Sequence, residues 1–377
     1  MKNLLLVVAM FVPGLIFAQK KDMTPKTFDL IVGTYTSGNS KGISVYRFYA
    51  ETGRLAYLNQ VTGVSNPSYL CVSNNNKFVY AVNEGTQGEV SSFAFEPKTG
   101  ALTFINKVST LGADPCYVSV DKAQKSLFVA NYSGGSITVL PLNDDGSIAP
   151  AVQTINDPGH GPNKERQEKA HVHTAVLSPD EKYVFYTDLG TDKLNITRYK
   201  AKKSSPLTPA DPAFVTVAPG TGPRHIDFSA DKKTLYLITE MGSNVIAYDY
   251  DNGKLKQKQT VTLLPDGFTG ITGAADIHVS PDGRFLYASN RGDANDISVF
   301  SINQENSMLT FVERKSSNGR GPRNFAIDPT GSFLLVANQN TDSIVTFRID
   351  KNTGKLTDTY YKIEIGNPVC LKFAPAL

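Results

Sequence analysis

Short runs of apolar, β-branched and aromatic residues follow one another along most of this chain, each four to seven residues long and closed by turn chemistry. That pattern predicts antiparallel hairpins. The runs belong to a unit of 46 to 57 residues that recurs seven times. Its clearest copy starts at Asn66-Pro67, stays largely apolar to Ser73, turns over Asn74-Asn75-Asn76 and climbs from Phe78 to Asn83. Sixteen residues separate Pro67 from Asn83, and the same spacing joins Pro115 to Asn131, Val172 to Asp188, Pro223 to Thr239, Ala274 to Asn290 and Pro322 to Asn338. Within one unit the expected strands are a (68–73), b (78–83), c (90–95) and d (102–108).

A seventh start, Asn367-Pro368, lies ten residues from the C-terminus with no second half after it. The missing half stands at the other end, in Leu30 to Gly33 and Gly42 to Tyr46. Repeats of this period built from short strands indicate a propeller or a solenoid. The split copy favours a closed ring, since it lets the two ends join in one sheet. The expected fold is therefore an all-β, seven-bladed β-propeller of four-stranded antiparallel blades, closed by a blade shared between the N- and C-termini. Turn pairs recur between strands c and d, among them Thr52-Gly53, Thr99-Gly100, Asp145-Gly146, Asn252-Gly253 and Thr353-Gly354; glycine there accepts positive φ without a Cβ clash. No amphipathic helix is expected beyond the N-terminus. Ring closure leaves only short, protected sheet edges.

Length and charge refine the picture. A chain of 377 residues would ordinarily suggest two or three domains, but the unbroken repeat argues for one, over residues 19–377. The first eighteen residues stand apart: Lys2, an apolar run from Leu4 to Phe17, then Ala18 before the polar Gln19-Lys20-Lys21-Asp22. A basic start, a short apolar core and a small residue at its end describe a secretory signal peptide. The run is shorter than the roughly 20 residues that span a bilayer, so the expected product is an exported, periplasmic, monomeric protein with no membrane span after cleavage. A net charge of +3 without a basic stripe gives no reason to expect a nucleic-acid partner. Cys71, Cys116 and Cys370 are odd in number and fall in or beside strand a of different units, as buried thiols rather than a disulfide framework.

The repeat also places chemistry. Strand a begins after the Pro position and the antiparallel strand b ends at the Asn position, so both points lie on one rim of the ring. The residues after the Pro position include His173, Arg224 and Arg323; those after the Asn position include Glu84, Glu240 and Arg291. Arg224 and Glu240 stand nearly opposite across one hairpin, where strands run about 4.8 Å apart. As an isolated cross-strand ion pair they would contribute only about 0.2–1 kcal/mol. With His173 on the adjacent blade, an acid, a base and a cation converge, which suits water activation by Glu or His with Arg stabilising an oxyanion. The longest connection, residues 157–170, is rich in Gly, Pro and charge, leads into His171-Val172-His173, and has the character of a binding loop or lid. His171 and His173 share a strand face at i, i+2, as zinc ligands can, but no third ligand stands at matching spacing and no metal is expected. His278 has the position of a satisfied core histidine. Gly220-Thr221-Gly222 and Ser133-Gly134-Gly135 lack a following helix and are not phosphate loops.

The strings Val32-Gly33-Thr34-Tyr35-Thr36, Gly161-Pro162-Asn163 with Arg166-Gln167-Glu168, His171-Val172-His173, Gly222-Pro223-Arg224-His225 and Ser289-Asn290-Arg291-Gly292 resemble the lactonase family of seven-bladed propellers. That family includes bacterial 6-phosphogluconolactonases and the fungal carboxy-muconate lactonizing enzyme. The resemblance covers essentially all of the chain after the leader. It implies a metal-independent, cofactor-free lactonase acting on a sugar lactone, with catalytic residues His173, Arg224 and Glu240. Arg166, His171, Arg291, Arg323 and Glu84 would bind substrate. Which of Glu240 and His173 is the general base stays open at this level. The alternatives are an exported, non-catalytic propeller binding a glycan or a protein, and a cycloisomerase that forms lactones. The family's bacterial members mostly act in the cytoplasm, whereas the expected leader exports this chain; that difference bears on the phosphorylated substrate more than on the lactone chemistry.

Overall fold

The computed structural model describes residues 27–201 and 203–376; the expected signal peptide lies outside the described residues. Seven four-stranded antiparallel sheets make up the architecture, six of them with their strands in consecutive order. The seventh joins the C-terminal strand Pro368–Pro375 to the N-terminal strand Thr27–Thr34, followed by Gly42–Tyr49 and Arg54–Thr62. Among the described residues, helical structure is confined to a 3-10 turn at Gln339–Thr341.

Numbering blades from the first complete copy, blade 1 holds Leu70–Val72, Phe78–Asn83, Glu89–Glu96 and Ala101–Ser109. Strands b, c and d match expectation to within a residue at each end. Strand a is shorter than expected, because Asn66 takes positive φ and Ser68 N donates back to its carbonyl, which keeps the start of the segment out of the ladder. Strands a and b of blades 2 to 6 pair in the predicted register: Pro115 with Asn131, Val172 with Asp188, Pro223 with Thr239, Ala274 with Asn290 and Pro322 with Asn338.

Apolar side chains fill the layers between neighbouring blades. Tyr236, Ile238 and Val245 of blade 4 pack on Leu286, Ala288 and Phe300 of blade 5, and Phe28, Leu30 and Phe48 of blade 7 on Phe333, Leu335 and Ala337 of blade 6. The c–d turn glycines belong to this packing. Gly253 has φ +82, and a Cβ there would come within 2.3 Å of the Tyr183 ring on the preceding blade. Cys71, Cys116 and Cys370 are free thiols.

Candidate active site

The inner strand, a, of blades 2 to 6 carries a register shift just after the Pro position: between Pro115 and Tyr117, Val172 and Thr174, Pro223 and His225, Ala274 and Ile277, and Pro322 and Asn324. A bulge of this kind re-aims one side chain out of the pleat. The residues it frees include Cys116, His173, Arg224 and Arg323, so the repeat that builds the ring also presents these groups at one channel mouth.

Glu240 is the hub. Its Oε1 accepts from Arg166 Nη2 at 2.7 Å; its Oε2 accepts from Arg224 Nε at 2.9 Å and lies 3.2 Å from Arg291 Nη2. These arginines come from the 157–170 loop, the inner strand of blade 4 and the second strand of blade 5. Although burial opposes ionisation, the three guanidiniums hold the Glu240 carboxyl far below the usual carboxylate range. Arg224 Nη1 also donates to the Ala275 carbonyl, and Arg291 Nε donates to Gly273 O at 2.9 Å. Burial and neighbouring cations push Arg291 down to about 10 against the pull of Glu240.

His173 packs edge-on to Tyr132 at 5.6 Å and to His225 at 5.2 Å between ring centroids. Its Nδ1 is buried without a hydrogen-bond partner among the described residues. Burial, then the positive charge of Arg224, keep its pKa well below the ordinary histidine value, so the ring is neutral.

The trio expected on one rim of the ring does not stand open to solvent there: His173, Arg224 and Glu240 are only 4%, 1% and 6% exposed. They lie inside the mouth, and Arg166 of the long loop reaches over Glu240. His171 does not share the open face of His173. It stacks on Tyr132 at 4.5 Å, with Nε2 3.1 Å from both Glu168 oxygens and Nδ1 3.2 Å from Tyr132 O, because the bulge separates the two histidines. It anchors the loop instead. His278 is satisfied by Asp276 at 3.0 Å but keeps a partly exposed ring. Among the described residues no group of three His, Cys, Asp or Glu side chains could hold a metal.

Glu84 and Arg323 come together on the other side of the mouth. Tyr35 Oη donates to Glu84 Oε1 at 2.9 Å, Ser68 Oγ donates to Oε2, and the Arg323 guanidinium lies 5.5 Å over the Tyr35 ring. The nearby Tyr35 and Glu84 raise the Arg323 pKa against the effect of burial. Tyr35 and Tyr132 were not among the expected site residues. Both follow the last residue of a strand b, as Glu84 and Glu240 do; the repeat spacing signals that position for Tyr132, whereas for the split copy it points to Thr34, and the pairing of Thr34 with Pro368 moves it to Tyr35.

A family profile described as "Lactonase, 7-bladed beta-propeller" matches residues 29–373. A 6-phosphogluconolactonase of Bacillus subtilis is 39% identical over 345 residues, covering 91% of this chain and 97% of the relative. A 6-phosphogluconolactonase of Formosa agariphila is 38% identical over 340 residues, covering 87% and 94%. Among solved structures, the periplasmic gluconolactonase of Pseudomonas aeruginosa superposes with a TM-score of 0.90 at 42% identity, over 93% of this chain and all of that one.

Proposed function

We propose, on the premise that this chain belongs to the seven-bladed β-propeller lactonase family, that it hydrolyses a sugar lactone at the His173–Arg224–Glu240 mouth. The observation that carries this reading is a neutral, buried histidine with an unengaged nitrogen beside an arginine held rigid by its own carboxylate.

The roles follow from which atoms are already occupied. Both Glu240 oxygens are taken by guanidiniums, and its carboxylate is a weak base. Its work is to fix three arginines. His173 is the better base, since a neutral imidazole can take a proton from water. The water oxygen then bonds to the lactone carbonyl carbon, and the resulting oxyanion is stabilised by Arg224. Its Nε is given to Glu240 and its Nη1 to Ala275 O, which leaves Nη2 for the substrate. Donors already aimed at the developing charge cost no reorganisation in the transition state. Collapse breaks the ring C–O bond, and the departing alkoxide takes the proton back from His173, giving the open hydroxy acid.

Four arginines (166, 224, 291 and 323) face two carboxylates (Glu84 and Glu240) in this mouth, and the excess positive charge favours a lactone bearing an anionic group. Glucono- and 6-phosphogluconolactone, the substrate classes that the relatives' names carry, separate the possibilities. Acid release is measured with both, for wild type and for His173→Ala. Turnover that falls about 10²-fold or more in the variant supports the reading; a wild type inert to both lactones overturns it. Arg323→Ala mainly raises KM for the phosphorylated lactone if its charge is held equally in ground and transition states. Chelators leave turnover unchanged. The basic, apolar start of the sequence supports export to the periplasm; N-terminal sequencing of protein from its native cell is expected to begin at Gln19.

A further inference from the structure

One residue further along the inner strands of blades 4 to 6 stand His225, Asp276 and Asn324, all deeply buried. Asp276 is 1% exposed. Its Oδ1 lies 2.8 Å from His225 Nδ1 and its Oδ2 3.0 Å from His278 Nε2, and Oδ2 also accepts from Asn324 Nδ2. These partners hold the carboxyl ionised despite burial. His225 is pushed down to about 4, first by burial and then by the charge of Arg224. It is therefore neutral near pH 7, and only one of its nitrogens carries a proton.

Two tautomers are open to it. With the proton on Nδ1, the ring donates to the Asp276 carboxylate and turns the Nε2 lone pair toward Arg224 Nη1, 3.4 Å away, at the long end of the hydrogen-bond range. With the proton on Nε2, a lone pair would face the carboxylate and an N–H would face the guanidinium, so both contacts become repulsive. The same ring packs edge-on to His173, and the other Nη1 proton of Arg224 goes to the carbonyl of Ala275, the residue before Asp276.

We propose that Asp276 is a positioning residue: its carboxylate fixes His225 as the Nδ1–H tautomer, whose Nε2 holds Arg224 Nη1 and so aims the guanidinium at the lactone oxyanion. This rests on the lactonase reading above for the role of Arg224. The competing account is that Asp276 merely ties blades 4, 5 and 6 together through His225, His278 and Asn324.

Two measurements test the proposal, and the second separates it from the structural account. Nitrogen-15 spectra of the wild-type imidazoles at pH 7, with His225 assigned by the signal lost in His225→Gln, are expected to show a protonated Nδ1 and a bare Nε2. A protonated Nε2 overturns the proposal, and this arm needs no activity. In kinetics, Asp276→Asn and His225→Phe are each expected to lower kcat roughly 10- to 100-fold with little change in KM, as when the partner that orients a metal-bound histidine is lost. Because both act through one link to Arg224, the double variant is no slower than either single, and in an Arg224→Lys background Asp276→Asn changes kcat less than about two-fold. Asp276→Asn that melts earlier but keeps wild-type kcat makes the role structural and overturns the proposal. A wild type that hydrolyses no lactone refutes the lactonase reading instead, while the tautomer still decides whether Asp276 governs His225.

Discussion

Arg224 Nε lies 2.9 Å from Glu240 Oε2 with both side chains almost wholly buried, which makes this ion pair part of the molecule's interior. An exposed pair is worth about 0–1 kcal/mol. A desolvated one behaves differently, since removing one partner leaves the other's charge buried and unpaired.

Glu240→Ala would strand Arg224 and Arg291 together beneath Arg166. The expected loss of stability is about 3–5 kcal/mol by urea unfolding, together with turnover reduced by about 10²-fold as the arginines lose their common anchor. Glu240→Gln keeps the shape but not the charge and should fall between wild type and alanine in stability. A Glu240→Ala protein as stable as wild type would show that the network relaxes freely, and would remove the case for a preorganised oxyanion site.

A second expectation concerns pH. The imidazolium form of His173 is disfavoured by burial and by Arg224, so the base stays unprotonated well below pH 6.5. The rate constant kcat/KM should be flat from pH 7 downward through the range where an ordinary histidine titrates, and fall only at more acidic pH. An acid limb centred at 6.5 or higher would assign the base to a different group.

The ring and its register were legible because the Pro and Asn columns are sixteen residues apart in copy after copy, and strand pairing preserves that spacing. His173, Arg224 and Glu240 came together for the same reason: their positions in the repeat place them on one rim. Their burial was not legible. Side-chain direction at a bulge depends on the local backbone rather than on strand alternation, and that is also why His171 parts from His173. The long loop has no counterpart in the other units, so the repeat could not show that Arg166 returns to Glu240. The pairing of His225 with Asp276 joins inner strands of two blades and depends on how closely the ring draws them together.

Ring closure gives a prediction of its own. Pro368–Pro375 pairs with Thr27–Thr34 along its length, and Leu371 packs with Phe28, Leu30 and Val32 in the layer against blade 6. Deleting residues 367–377 would open the inner edge of blade 7 and expose that layer to water. The truncated protein should be insoluble, or melt far below the intact chain in a thermal scan. Equal melting temperatures would show that the shared blade contributes little to the closed ring.

A last expectation lies away from the mouth, at Asp296 on blade 5. Its Oδ1 is buried without a hydrogen-bond partner among the described residues. Its nearest cation, Arg314 Nε, is 3.5 Å from Oδ2 and donates to the Leu263 carbonyl at 2.8 Å. Burial outweighs that cation and raises the Asp296 carboxyl to about 7. An aspartate in the unfolded chain titrates near 3.9, so the folded state binds this proton more tightly. Its contribution to stability is then fully present below about pH 4 and is lost as pH rises toward 7. Asp296→Asn keeps the shape and removes the buried charge. The variant should melt above wild type at pH 8, and the two should converge near pH 4. A constant offset between the two melting curves across that range would show that Asp296 is ionised throughout, with Arg314 compensating for its burial.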